Sequence, residues 1–481
     1  MSDTLMVSVS GVRGLVGKDL TPEMVARWAA AFGTWAKDRP SPRRPVRASI
    51  VLGRDARTSG PMFAGAATAG LQSVGCDVID VGLVATPSVQ LAVEYHRAAG
   101  GIMLTASHNP IEWNALKFVG PDGIFLDGVA GTRVRELAAG DLLPRANYNA
   151  IGGVEADSDA ISRHLAAVLA LRGLDVRAIK RRRFRVALDT VRGAGGAVMP
   201  ALLERLGCRV TAINLETNGL FPRPPEPVPE NLKALGALVR RSKADVGIAV
   251  DPDVDRLAIV DEQGRPIGED YTLAFAIRAV LGGRPGGPAA RRQPKGRVVR
   301  PSGRQTVVCN LSTSLVVEDA AREYGAEVVR APVGEAHVAR KIIALRAVIG
   351  GEGNGGVMYP ALHVGRDAPV AGALLLGLLA RERVTVSELV ARSPRYTIVK
   401  AKVERGTQNA ESMSAVYAAL RSRFPEAAVD SQDGLRLAWP HRWLHVRPSG
   451  TEPIIRLIAE APTGADAEQL IDEGRRLCVG S

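Results

Sequence analysis

The sequence predicts an α/β fold of four domains, three built on related mixed α/β sheets and the last a smaller C-terminal α+β domain. Three observations lead there. A chain of 481 residues exceeds what one hydrophobic core fills, since domains run to about 100–200 residues. Three segments, "LQSVGCDVIDVG" (71–82), "LLERLGCRVTAI" (202–213) and "AREYGAEVVRAPVG" (321–334), repeat one pattern, a helix ending at a glycine and then a β-branched strand. Each is preceded by an apolar strand, "ASIVLGRD" (48–55), "FRVALDT" (184–190) and "TVVCNLS" (306–312). Strand, helix and strand in that order mark a right-handed crossover in a mostly parallel sheet.

After residue 390 the pattern changes. "YTIVKAKVE" (396–404), a helical "AESMSAVYAALRSRF" (410–424), "GLRLAWPHRWLHVRPSG" (434–450), "IIRLIAEA" (454–461) and a closing helix at 465–478 mix strands and helices without the repeat. The domains are therefore placed at 1–155, 156–268, 269–390 and 391–481. The stretch 282–304, rich in Gly, Pro and Arg, is a poor core former and reads as a flexible surface insertion.

Composition narrows the function classes. Hydrophobic residues at 46% and charged residues at 23% are those of an ordinary globular protein. The start "MSDTLMVSVS" has neither a basic head nor a continuous apolar core, and no later run reaches the ~18 apolar residues of a membrane span. A cytoplasmic protein without a membrane partner is expected. Cys76, Cys208, Cys309 and Cys478 are scattered with no CxxC pair, which suits buried thiols in a reducing compartment. The net charge of +12 admits nucleic acid, acidic lipid or phosphorylated small molecules. Much of the excess lies in "KRRRFR" (180–185) and in 282–304, short runs without interleaved aromatics, so a solvated edge and a loop are favoured over nucleic-acid contact.

Four turns carry polar groups that folding does not require. "TASHNP" (105–110) displays Ser107 where a strand gives way to a turn; alone it reads as a helix cap or Asx turn, and no GxSxG surrounds it. "GIAVDPDVDRLAIVDEQG" (247–264) places Asp251, Asp253 and Asp255 alternately, and three carboxylates so close repel unless a cation such as Mg²⁺ lies between them. Glu262 matches the twelfth position of an EF-hand loop, but Arg256 replaces the sixth-position glycine and a strand follows. "GGEGNGGVMYP" (350–360) leaves Glu352 and Asn354 as polar side chains in a glycine loop open to a ligand, suited to sugar hydroxyls. "RPSGTEPIIR" (447–456) offers Arg447, Ser449, Gly450 and Thr451 as phosphate donors; the near-copy "RPSGR" (300–304) lacks the continuation and reads as coincidence.

In this order the four turns, with "SGVRG" (10–14) and "GRDART" (53–58), resemble the α-D-phosphohexomutase family over nearly the whole chain apart from 282–304. The resemblance implies a heart-shaped, four-domain isomerase with its active site in a central cleft. It would interconvert hexose 6-phosphate and hexose 1-phosphate through a phosphoserine at Ser107 and a 1,6-bisphosphate, which also serves as activator. One Mg²⁺ per chain would be held by that phosphoserine with Asp251, Asp253 and Asp255. Ser107, His108, Arg13 and Lys117 (in "NALK", 114–117) form the implied catalytic set, with Arg13 and Lys117 flanking the transferring phosphate and Lys117 as general acid/base. Arg256 would stand beside the metal loop, Glu352 and Asn354 would read the sugar, and Arg447, Ser449, Gly450 and Thr451 would hold the non-reacting phosphate. The implied partner is a small phosphosugar, with no nucleic acid and no membrane, in a monomer or homodimer.

Departures from the family pattern carry expectations of their own. Where many members read Glu-x-Ser-Gly-His, this chain has "EGNGG", so Asn354 replaces the serine and Gly356 the histidine. Pro252 stiffens a metal loop that more often holds glycine or alanine. In "APVGEAHV" (331–338) Ala336 replaces a common basic residue, and His337 is a candidate to compensate. The form of the sugar loop favours a phosphoglucosamine mutase, with phosphomannomutase/phosphoglucomutase as the alternative. A non-catalytic sugar-bisphosphate sensor is the reading from another class, opposed by retention of Ser107, the three aspartates and Arg447.

Overall fold

The computed structural model describes residues 5–8, 11–38, 47–140, 143–283, 305–404, 410–449 and 454–479. Among the described residues the strands form four sheets. In the first, Ser49–Arg54 pairs in parallel with Asp77–Leu83 and Gly100–Leu104, and Trp113–Val119 returns antiparallel beside Gly100–Leu104. Gly11–Leu15 and Met6–Ser8 extend that antiparallel edge, and Val154–Ala156 closes the opposite one. The second sheet repeats the core of this plan with Arg185–Asp189, Arg209–Ile213 and Val246–Val250 parallel and Leu257–Val260 returning. The third repeats it again with Thr306–Asn310, Glu327–Ala331, Ile349–Glu352 and the return strand Gly356–Met358.

The crossovers form where the sequence places them, and for the reason expected. The helices Gly60–Ser73, Gly195–Arg205 and Leu315–Arg322 are followed by Gly75, Gly207 and Gly325, all in the left-handed region. A Cβ is disfavoured there, so glycine stops each helix and aims the chain at its next strand.

Apolar strand sequences translate into burial on both faces: every residue of Gly100–Leu104 and of Val246–Val250 is buried. Helix Pro22–Lys37 lies close on helix Gly60–Ser73, because a Cβ at Gly70 would sit 2.3 Å from the Ala26 carbonyl oxygen. Any side chain at position 70 forces the two helices apart. Helix Ala368–Glu382 is apolar on nearly all sides and is accordingly buried between the second and third sheets. Leu188, Ile248, Phe275 and Leu375 belong to one continuous core, which joins those two sheets firmly; each such side chain contributes roughly 1.5–3 kcal/mol on burial.

The fourth sheet is antiparallel throughout: Thr397–Glu404, Ile454–Ala461, Arg442–Pro448, Leu435–Trp439 and Ala428–Asp430 lie in that order, with helices Ala410–Arg423 and Gly464–Val479. Cys76, Cys309 and Cys478 are buried, Cys208 is half-buried, and all four are free thiols. Lys180–Arg182 form the exposed last turn of helix Val176–Arg182, where cations favour the negative end of the helix dipole. Gly282 ends helix Asp270–Gly282, whereas 284–304 of the expected insertion lie outside the described residues. Among the described residues no helix is long and apolar enough to cross a membrane.

Candidate active site

The three sheets place three of the polar turns identically. Each turn joins the third parallel strand to its antiparallel return: 105–112 after Gly100–Leu104, 251–256 after Val246–Val250, and 353–355 after Ile349–Glu352. Sites in such sheets form at the carboxyl ends of the parallel strands. The repeat in the sequence thus becomes a convergence of loops.

Ser107 occupies the left-handed region (φ 50°), a conformation costing a residue with a Cβ about 1–2 kcal/mol. Arg57 holds it there. The buried guanidinium of Arg57 donates to the carbonyl oxygens of Ser107 (2.7 Å), Asn109 (2.7 Å), Pro110 (2.6 Å) and Trp113 (2.9 Å). Its Nε pairs with Asp55 (3.1 Å), which also accepts from Thr105 Oγ1 (2.7 Å), and Thr105 Oγ1 accepts from the Ser107 N–H (2.9 Å). Ser107 caps no helix. Its hydroxyl, 2% exposed as a residue, donates across the domain boundary to Asp251 Oδ2 at 2.9 Å. His108 Nδ1 lies 3.5 Å from the same hydroxyl. The Arg256 cation, burial and Arg13 together hold His108 well below the usual imidazole range, so its ring is neutral. Arg13 donates to Asn109 Oδ1 at 2.6 Å.

Asp251, Asp253 and Asp255 are fully buried, with one carboxylate oxygen from each lying within 4.8 Å of the others. Asp251 Oδ1 accepts from the backbone N–H groups of Asp255 (3.1 Å) and Arg256 (3.2 Å). Asp253 Oδ2 accepts from Lys117 Nζ (2.8 Å) and Thr86 Oγ1 (2.7 Å). Asp255 Oδ2 accepts from Arg366 Nη2 (2.5 Å). Asp253 Oδ1 and Asp255 Oδ1 are left without a protein hydrogen-bond partner. Buried carboxylate oxygens are rarely left so, and three oxygen donors with two of them free fit a hard divalent cation.

The electrostatics agree. Burial, then Asp255 and Asp253, raise the Asp251 carboxyl well above the usual range. Burial also opposes ionisation of Asp253, yet the Lys117 ammonium and the hydrogen bonds around it hold that carboxyl low. Pro252 is accommodated, and the strain falls two residues on, at Val254 (φ 60°). A hairpin of two strands, not a helix pair, carries the loop, so it is no EF-hand. Arg256 pairs with Glu226 (3.1 Å) and lies 3.8 Å from Asp255.

The glycine loop corrects an expectation. Its glycines admit protein, not open space for a ligand: a Cβ at Gly353 would lie 2.3 Å from Asp270 Oδ1, at Gly355 2.5 Å from the Leu257 carbonyl oxygen, and at Gly356 2.3 Å from Arg366 Cδ. The Leu257 N–H donates to the Gly355 carbonyl oxygen (3.1 Å), so the loop rests on the metal hairpin itself. Glu352 Oε1 accepts from Asn310 Nδ2 (2.9 Å) and the Gly334 N–H (3.1 Å), and Oε2 from Arg366 Nη1 (2.9 Å). Three of about four acceptor positions are used, which leaves one for a hydroxyl. Asn354 Oδ1 accepts from the Gly356 N–H (3.2 Å), with the amide nitrogen on the other side of the group.

Ser107, His108, Arg13, Lys117, the three aspartates and Arg256 are thus brought together, and Glu352 is linked to them through Arg366. Arg447 is not: its described contact is with Asp433 (3.0 Å), which also accepts from the Val333 N–H (3.1 Å) of the third domain. The Ser449 N–H donates to the Ile454 carbonyl oxygen (2.8 Å), while Gly450 and Thr451 lie outside the described residues. His337 is exposed on its helix, and Glu335 faces the cluster instead. Sequence reasoning missed Arg57, Thr86, Glu335 and Arg366. The one available signal was the tetrapeptide Gly-Arg-Asp-Ala, which occurs at 53–56 and again at 365–368.

Four family descriptions match the chain in succession: phosphoglucomutase/phosphomannomutase alpha/beta/alpha domain I over residues 5–141, domain II over 162–264, domain III over 290–396 and the C-terminal domain over 398–477. A phosphoglucomutase/phosphomannomutase of Thermococcus kodakarensis is 37% identical over 468 residues, 97% of each chain. A probable phosphoglucosamine mutase of Methanopyrus kandleri is 35% identical over 466 residues, covering 96% of this chain and 95% of the relative. The crystal structure of a phosphoglucomutase/phosphomannomutase family protein from Burkholderia thailandensis superposes with a TM-score of 0.83 at 25% identity, covering 100% of this chain and 98% of that one.

Proposed function

Because this chain belongs to the phosphoglucomutase/phosphomannomutase family of α-D-phosphohexomutases, which are isomerases, we propose that it interconverts hexose 6-phosphate and hexose 1-phosphate through a phosphorylated Ser107. The observation that carries this reading is the 2.9 Å contact of Ser107 Oγ with Asp251, which puts the hydroxyl beside three buried carboxylates of another domain.

In the proposed cycle a sugar hydroxyl oxygen attacks the phosphorus on Ser107. The bond from phosphorus to the serine oxygen breaks, and a sugar 1,6-bisphosphate forms. The bisphosphate turns over and returns its other phosphoryl group to the serine by the same displacement in reverse. Asp251, Asp253 and Asp255, with the serine phosphate, would hold one Mg²⁺, whose charge offsets that of the transferring group. Lys117, 2.8 Å from Asp253, and Arg13 line the path with positive charge, and Lys117 relays the hydroxyl proton. Arg366 does not relay it: its three carboxylate partners overcome burial and hold the guanidinium well above its usual range, permanently protonated. Neutral His108 accepts from or donates to groups at the serine without adding charge. Glu352 and Asn354 read the sugar hydroxyls, and Arg447, Ser449, Gly450 and Thr451 hold the non-reacting phosphate.

The sugar-loop form supports glucosamine phosphate as substrate, in keeping with the name of the Methanopyrus relative. The name of the Thermococcus relative, 37% identical, supports mannose or glucose phosphate as the second reading. A coupled mutase assay with Mg²⁺ and a trace of sugar 1,6-bisphosphate, run on glucosamine 6-phosphate, mannose 1-phosphate and glucose 1-phosphate, separates them. A dominant rate on one sugar that disappears in Ser107→Ala supports the proposal. No rate on any of the three, from protein carrying phosphate on Ser107, means that the altered sugar loop reads a different sugar or that the protein is a sensor.

A further inference from the structure

We propose that Arg366 is the positioning residue that sets the metal loop and the sugar loop in register, so that the orientation of Asp255 and that of Glu352 are fixed by one side chain. This rests on the mutase reading above and deepens it.

The geometry is specific. Arg366 follows the return strand Gly356–Met358, to which it is bridged at Met358. Its Nη2 binds Asp255 Oδ2 (2.5 Å), its Nη1 binds Glu352 Oε2 (2.9 Å), and its Nε pairs with Glu335 Oε2 (3.0 Å). The Arg366 N–H donates to Glu335 Oε1 (3.3 Å), which also accepts from Gln90 Nε2 (3.3 Å). A planar guanidinium presents its donors in a rigid fork, so the carboxylates it binds cannot rotate independently. Holding Asp255 by Oδ2 leaves Oδ1, the oxygen without a protein hydrogen bond, as the one free to ligate a cation.

The departure at Gly356 now has a physical reason. A Cβ there would stand 2.3 Å from Arg366 Cδ and 2.9 Å from Cγ. Arg366 is 8% exposed and pinned at three points, so it has nowhere to withdraw. Glycine at 356 and arginine at 366 are therefore one device. Gly356 has no left-handed φ, so a methyl group there acts through its packed neighbours, chiefly Arg366 and more weakly Asn354 Oδ1 at 3.0 Å, and not through backbone strain.

Outer partners of metal ligands typically change metal affinity or activity by about 10–100-fold when removed. Arg366→Met is expected to weaken Mg²⁺ binding to the unphosphorylated protein by about that factor, read by equilibrium titration or by Mn²⁺ competition without turnover. Arg366→Lys keeps the charge without the fork and is expected to recover only part of the loss. Gly356→Ala, which changes no charge, is expected to reproduce the direction of Arg366→Met in metal affinity and to raise KM for the sugar phosphate more than it lowers kcat. A lowered melting temperature with unchanged Mg²⁺ affinity and unchanged KM in both Arg366→Lys and Gly356→Ala overturns the proposal and leaves Arg366 as scaffold. Because the titration needs no substrate, it tests Arg366 even if the wild-type protein turns over none of the three sugars, the outcome that counts against the mutase reading for those sugars instead.

Discussion

Two buried polar clusters share the consecutive residues Arg366 and Asp367, and they are built on opposite terms. In the first, Arg366 joins Asp255 to Glu335 and Glu352, yet Asp253 Oδ1 and Asp255 Oδ1 remain without hydrogen-bond partners. In the second, Asp367 is fully engaged. Its Oδ1 accepts from the Val370 N–H (2.8 Å) as the cap of helix Ala368–Glu382, and its Oδ2 accepts from His164 Nε2 (2.8 Å) and His363 Nε2 (3.0 Å). His164 Nδ1 meets Ser88 Oγ at 2.9 Å. Ser88, His164 and Asp367 make a chain that would pass for a catalytic triad by residue type. All three are buried, and they come from three domains, so they fasten the domains together. Asp367 is satisfied as scaffold, whereas the free oxygens of Asp253 and Asp255, grouped with Asp251, are placed to take a cation.

That contrast is breakable. The largest expected effect is on turnover in Ser107→Ala, about 10⁴-fold or more, as for removal of a covalent nucleophile, checked by the coupled assay together with the mass of the resting protein. Next, Asp251→Asn is expected to lower turnover by about 10²–10³-fold, the size of losing one preorganised electrostatic group. The same change should leave the melting temperature of metal-free protein unchanged or raised, because it relieves repulsion among three carboxylates. Asp367→Asn should do the reverse, destabilising by about 2–4 kcal/mol through loss of a buried charged acceptor. Equal destabilisation by the two asparagine variants in denaturant titrations would erase the distinction.

A further carboxylate, Asp270, half-buried at the start of helix Asp270–Gly282, falls between the cases. It accepts from the Ser314 N–H (2.8 Å), and burial pushes its carboxyl up to about 8. The raised folded value means that the native state holds the proton longer than the unfolded chain, whose carboxyl titrates near ~4. Stability should therefore fall as pH rises from about 4 to about 8, by on the order of a few kcal/mol. Asp270→Asn should flatten that slope in urea midpoints measured across the range. The smallest effect is expected for His337→Ala: the side chain is exposed, so turnover should change less than about 2-fold, as for surface positions in general.

Much of the molecule was legible beforehand. The helix, glycine and strand repeats emerge in register, and the C-terminal strands and helices match their sequence patterns closely, because hydrophobic period and glycine stops act over a few residues. Ser107 and the aspartates were legible because polar groups interrupt apolar runs there. Arg57 and Arg366 were not: each lies in or next to a Gly-Arg-Asp-Ala tetrapeptide, but the role of each rests on the far end of a long side chain meeting groups up to 111 residues away. The glycines of 350–356 were legible as a loop but misread as openings, because only packed neighbours reveal that a missing Cβ is already occupied.

By itself, then, the sequence determined the four-domain α/β plan, the family and the residue types available for phosphoryl transfer, all of which depend on local pattern. Tertiary structure alone decided that the serine, metal and sugar turns are the same hairpin in three repeated sheets, that one arginine spans two of them, and that a Ser-His-Asp chain is a fastener. Those facts depend on distances between segments far apart in the chain, and burial without water is what makes each distance matter.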